Sequence, residues 1–140
     1  VVPFGFQPTN TDQNNCYNAT DIVVDLSGGE SISLPSMTCL ALGKHGVIHK
    51  NSGMEWATDE NAVIVNSNGK RPCYDNVFFH SGQPYNQGNF FSCSDEDYSA
   101  ALDRAVIRCK TNKLNEAGLA LQTEYSYKTG VDIILKELAI

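Results

Sequence analysis

The chain has 140 residues, of which 41% are apolar and only 19% charged, and its formal net charge is −6. That length suits one domain with its own core rather than two, and the apolar content excludes a disordered chain. The acidic balance speaks against nucleic acid or anionic lipid as a partner, and no apolar run approaches the ~20 residues of a membrane span.

Residues 1–20 are rich in Pro, Asn, Gln and Thr, and Pro3 and Pro8 predict an extended arm. Phe4 and Phe6 alternate as in a short edge strand. Asn18-Ala19-Thr20 is an N-glycosylation acceptor pattern. No signal peptide opens the sequence, so export would place Val1 near a processed N-terminus.

Asp21–Leu26, rich in β-branched residues, and the alternating Ser31–Leu34 flank Ser27-Gly28-Gly29 and predict a hairpin. Thr38–Leu42 is a further short apolar piece. Gly43–Ile48 and Asn61–Val65 read as strands, the second followed by the turn Asn66-Ser67-Asn68-Gly69. Tyr74–Phe79 reads as another strand and His80–Asn89 as a long exposed loop. The clearest helix runs from Asp95 to Arg108, capped by Ser94, with three acidic residues in its first turn. Its apolar stripe is Tyr98, Ala101, Leu102, Ala105 and Cys109. Leu119–Tyr127 and Val131–Leu135, joined by Lys128-Thr129-Gly130, read as a C-terminal hairpin. The sum is a single α+β domain over 1–140, mainly antiparallel sheet with one firm helix at about 95–108.

Cys16, Cys39, Cys73, Cys93 and Cys109 show no C-x-x-C or Cys/His metal spacing, which argues against zinc or a thioredoxin-like motif. They predict two disulfides and one leftover thiol. Cys93 and Cys109 are not a pair, because a helix between them separates them by about 20 Å against a limit near 7 Å.

His45 and His49 share a strand face, but no third ligand stands near them, and no metal is expected. His45, His49 and His80, with Glu55 and Glu60, contain the ingredients of general acid–base cleavage of RNA, with no spacing that pins a site. Ser52 and Ser81 do not sit in a G-x-S-x-G elbow, and no glycine-rich phosphate loop is present, so no nucleotide cofactor is expected. Arg104, Arg108, Lys110 and Lys113 complement the C-terminus of the helix; the sharper reading makes Arg104 and Arg108 a partner-binding patch. In the aromatic loop, Phe78 and Phe91 are expected in the core, and Tyr85 and Gln87 on a binding surface. Trp56 is expected in the core.

The profile of a short domain with a few cysteines and no catalytic signature resembles the small secreted effectors of plant-pathogenic fungi. Phe91-Ser92-Cys93 is similar to the aromatic-x-Cys tripeptide of some mildew effectors. The stretch Cys93–Cys109, a cysteine leading into a short helix, resembles layouts in fungal guanyl-specific ribonucleases and their inactive effector relatives. No functional residue carries over. The resemblance implies a secreted protein–protein interaction module acting on a host or extracellular protein, outside the cell or after entry into a host cell. The rival expectations are a small secreted ribonuclease-like hydrolase and a secreted carbohydrate binder that uses Trp56 or the loop aromatics.

Overall fold

The computed structural model describes residues 9–138. Phe4, Phe6 and the first two prolines lie outside them. The rest of the expected arm contains a helix, α1 (Asn10–Asn18), whose N-cap Thr9 accepts the amide of Asp12. The strand β1 (Ile22–Asp25) follows, then α2 (Leu34–Ala41) and β2 (His45–Lys50). After a loop come β3 (Val63–Asn66), β4 (Gly69–Pro72) and β5 (Asn89–Ser92). Helices complete the chain: α3 (Asp95–Thr111), the single turns α4 (Glu116–Leu119) and α5 (Leu121–Glu124), and α6 (Tyr127–Glu137).

The main sheet is parallel, in the order β1-β2-β3, which overturns the expected antiparallel sheet. The predicted hairpin at 21–34 fails because only its first half is a strand. Ser33 takes a left-handed φ of 50°, and Pro35 lies in the first turn of α2, where a missing N–H costs nothing. The chain therefore returns through a helix, and a strand reached by such a crossover runs parallel to the one before it. Only the small pair β4–β5 is antiparallel.

The single-helix expectation is overturned as well. The 119–127 segment is helical in α4 and α5, and the 131–135 segment lies within α6. Val131, Ile133 and Leu135 alternate as in a strand, but Tyr127, Val131, Ile134, Leu135 and Leu138 also fall on one helical stripe. Ser126 caps that helix by accepting the amide of Thr129 at 3.0 Å, and Lys128 pairs with Asp132 one turn on. Tyr74–Phe79 is not a strand either, because the carboxylate of Asp75 gathers the amides of Val77, Phe78 and Phe79 into a turn.

Two cores sandwich the sheet. On one face Met37 and Leu40 of α2 pack with Ile48, Met54, Trp56, Ala57, Ala62 and Leu121. On the other, Ala101 and Ala105 of α3 lie against Val47, Val63 and Val65. The alanines lack side chains that would hold the helix away from the strands. β2 is buried along both faces, as the central strand of a covered parallel sheet must be.

Among the described residues all five cysteines are free thiols, which overturns the stapled scaffold. The sheet explains part of this: Cys39 on α2 and Cys109 on α3 lie on opposite faces of it. Cys73 follows β4 beyond the Pro72–Asn89 end of the small ladder, and Cys93 follows β5 beyond the Gly69–Ser92 end. At ~3.3 Å per residue these two stand well over 10 Å apart, beyond disulfide reach. Cys16 and Cys39 line one cavity, as free thiols. Protein unfolded and alkylated without reductant will take up five adducts by intact mass; three or one would restore a bridge.

Candidate active site

In open α/β sheets the carboxyl ends of parallel strands form the usual ligand crevice, because the loops diverge there. In this chain those ends carry Asp25 on β1, His49 and Asn51 at and just after the end of β2, and Ser67 after β3. The Asp25 carboxylate is occupied. It accepts the hydroxyls of Ser33 and Ser36, the latter at 2.7 Å, and the amide of Ser27. It thereby closes the β1–α2 loop and fixes where the Ser27 carbonyl points.

That carbonyl accepts two hydrogen bonds, from His49 Nδ1 at 3.0 Å and from Asn51 Nδ2 at 2.8 Å. A carbonyl only accepts, so Nδ1 carries the proton and the tautomer of neutral His49 is set. Nε2 is left as an acceptor, and the hydroxyl of Ser67 lies 2.9 Å from it. His49 is 0% exposed, with the ring of Tyr98 edge-on at 5.8 Å. Burial, then the neighbouring Cys93 thiol and the charge of Asp25, push the Tyr98 phenol well above its ordinary value, so it stays neutral.

The loops that hold this chain of bonds are tightly placed. A Cβ on Gly53 would lie 1.6 Å from the carbonyl oxygen of Ser31, so only glycine allows the two loops to touch. Asn51 Nδ2 also donates to the carbonyl of His49, yet its Oδ1 has no partner among the described residues although Asn51 is only 8% exposed. Ser67, half-buried, faces a cavity of roughly 340 Å³, lined by Asn66 at the end of β3, by Ser67 and Asn68 after it and by Asp97, Ala100 and Arg104 on α3. Chemically, this is a hydroxyl on the wall of a cavity, bonded to an imidazole nitrogen free to take its proton, with the imidazole held by a third group.

The residues named from sequence scatter. His49 comes to this end of the sheet, and Arg104 lines the cavity that Ser67 faces. His45 and Arg108 line a separate cavity of roughly 360 Å³ with Asp59 and Glu60. There His45 donates from Nε2 to the carbonyl of Asn112 at 2.7 Å, and Arg108 is committed to the carbonyls of Asp59 and Ala62. Glu55 is exposed beside Lys50. Ser52 and Ser81 are exposed, as is His80; the His80 carbonyl accepts from Gln87 at 2.6 Å. Asn18 is exposed at the end of α1, and its carbonyl accepts from Lys44. Trp56 is buried and donates to the carbonyl of Ile32. Lys110 and Lys113 are exposed near the end of α3. Tyr85 is exposed, but so is Phe78 at 80%, against its expected place in the core, while Phe91 is half-buried. Among the described residues no cluster of metal-ligating side chains forms, and no helix is long and apolar enough to cross a membrane.

Sequence reasoning missed Ser67, Ser27 and Asn51. In sequence Ser67 belongs to a turn, and nothing in its neighbours announces a partner 18 residues away. The one usable signal was that a polar residue directly after an apolar strand sits at a carboxyl end, which needed the parallel topology to have meaning. Comparison with protein-family models, with curated proteins and with solved structures gives no match to this chain.

The turn at Asp75 yields a pH test. Three amides, with Phe79 the largest influence and Val77 next, hold its carboxyl below the usual carboxylate value. A lowered folded-state value means that the turn's order is complete above the unfolded value and is lost only as pH falls through the lower folded one. The amide resonances of Val77, Phe78 and Phe79 will therefore titrate with a midpoint below that of an ordinary Asp. A midpoint at the ordinary value, or turn order unaffected by Asp75→Asn, would refute the assignment.

Proposed function

We propose that the chain is a small hydrolase that cleaves carboxylic esters by acyl transfer, with Ser67 as nucleophile and His49 as general base. The observation that carries this reading is the 2.9 Å contact between the Ser67 hydroxyl and His49 Nε2, with the tautomer set from the opposite side of the ring by the Ser27 carbonyl. It keeps the enzymatic alternative drawn from the sequence but moves it from RNA cleavage to acyl transfer. The titratable groups on the cavity wall, Asp97 and Arg104, make no hydrogen bond to Ser67 or His49 among the described residues.

The Ser67 oxygen attacks the ester carbonyl carbon as its proton passes to Nε2. Collapse of the tetrahedral intermediate breaks the C–O bond to the alcohol, which takes the proton back from the imidazole. Water then attacks the acyl-serine by the same route, releasing the acid and restoring the hydroxyl. Asn66, on the same wall and with no side-chain hydrogen bond among the described residues, offers a carboxamide N–H to the developing oxyanion.

Purified protein will hydrolyse p-nitrophenyl butyrate, and Ser67→Ala and His49→Gln will each lower the rate by about a hundredfold or more with the circular dichroism spectrum retained. A fluorophosphonate will add one mass label, mapped to Ser67. Absence of both turnover and label would overturn the reading.

A second reading, the interaction module expected from the sequence, is supported by the exposed Val77, Phe78 and Tyr85 of the 73–88 loop. Large apolar side chains left this exposed on one loop are a surface that a partner can cover. Under it the native protein will enhance anilinonaphthalene sulfonate fluorescence, and a Val77→Ser/Phe78→Ser variant will not. A native state that leaves the dye dark would remove its basis.

A further inference from the structure

Acyl transfer leaves one charged group in the Ser67 cavity without a task. Asp97 at one end is committed: it accepts the Ser94 hydroxyl at 2.8 Å and the Asn68 carboxamide at 3.1 Å. Arg104 stands two turns further along the same face of α3, with Ala100 between them. Arg104 has no ion pair or hydrogen bond among the described residues, whereas Arg108, one turn on, is held by two carbonyls. Arg104 is exposed, and a guanidinium without a partner on the wall of a cavity is available to an anionic ligand.

The order of groups along the cavity also carries meaning. The Asn68–Asp97 bond ties the Ser67 end of the β3 wall to the start of α3, so Ser67 lies toward Asp97 and away from Arg104. From Asp97 to Arg104 the helix rises roughly 10 Å, and alanine at position 100 leaves that span open. A chain attached to the acyl carbon at Ser67 runs toward the guanidinium; running the other way it would meet a carboxylate.

We propose that Arg104 binds a carboxylate at the far end of the acyl group, so that the cavity takes half-esters of short dicarboxylic acids with Ser67 attacking the ester end. This deepens the acyl-transfer reading and rests on it for the chemistry, but the anion site is testable without turnover. Arg104 is then the residue that sets substrate choice, through two parallel N–H···O bonds to the carboxylate.

Two measurements separate the claims. In a pH-stat, wild-type protein will hydrolyse monomethyl glutarate with a kcat/KM about tenfold or more above that of methyl butyrate, and Arg104→Gln will erase most of that preference, the size expected of a charge-assisted contact. Arg104→Glu will invert it. By calorimetry or chemical-shift titration, free glutarate will bind wild type saturably, and Arg104→Gln will lose that binding. Ser67-dependent hydrolysis with no preference for the anionic ester, or a preference indifferent to Arg104, would overturn the inference and leave the acyl-transfer reading standing. Arg104-dependent glutarate binding without turnover of either ester would do the reverse, upholding the anion site and removing the acyl transfer. No saturable glutarate binding to wild type would overturn the anion site directly.

Discussion

The carbonyl of Ser27 accepts hydrogen bonds from His49 and Asn51 at once, and the arrangement of the strand ends depends on it. It is a loop atom, held in place because Asp25 bonds the hydroxyls at the start of α2 and the amide of Ser27 itself. Through it the β1–α2 loop, the end of β2 and, by way of the imidazole, the turn after β3 become one network. A buried network of this kind stabilises only if its members are satisfied, since each unpaired group costs about 1–3 kcal/mol. One member is not: the Asn51 oxygen lacks a donor among the described residues.

Parts of this structure were legible in the sequence because they depend on local signals. The Ser94 cap, the acidic first turn and the small residues of the α3 stripe identify that helix from a few neighbours, and Asn61–Val65 reads as a strand from its β-branched run, of which Val63–Val65 is in β3. The topology was not legible for a physical reason. Ser31–Leu34 alternates as a strand would, and its fate was decided by a left-handed serine and by Pro35, which starts a helix more easily than it continues one. The C-terminal segment was ambiguous between periods, since Ile133 and Leu135 alternate while Ile134, Leu135 and Leu138 form a stripe; the Ser126 cap settled it. Once strands are parallel, their carboxyl ends lie side by side at one edge of the sheet, and only then do Ser27, His49 and Ser67 become neighbours. A site assembled from three loops has no sequence spacing of its own. His49 was within reach as a titratable group, but its partners were not.

The cysteines teach the complementary lesson. Their even spread suggested staples, yet the fold uses Cys39, Cys73 and Cys109 as small buried apolar groups. Burial pushes the Cys39 thiol up, with Lys44 opposing more weakly, which keeps it protonated and slow to react. A stable core with two covered sheet faces needs no cross-links at this length.

The last helix stands apart from this economy. None of its residues is buried, so its eleven residues rest on the Ser126 cap, one ion pair, the bond from the Thr129 hydroxyl to the Thr123 carbonyl and intrinsic propensity, and a helix of that length is marginal in water without packing. Local opening of α6 then costs little and leaves the sheet untouched. In this molecule helix content and core integrity are separate quantities: backbone order at 127–137 can come and go while Trp56 keeps its surroundings, and an all-or-none description of unfolding applies to the sandwich and stops short of the chain's end.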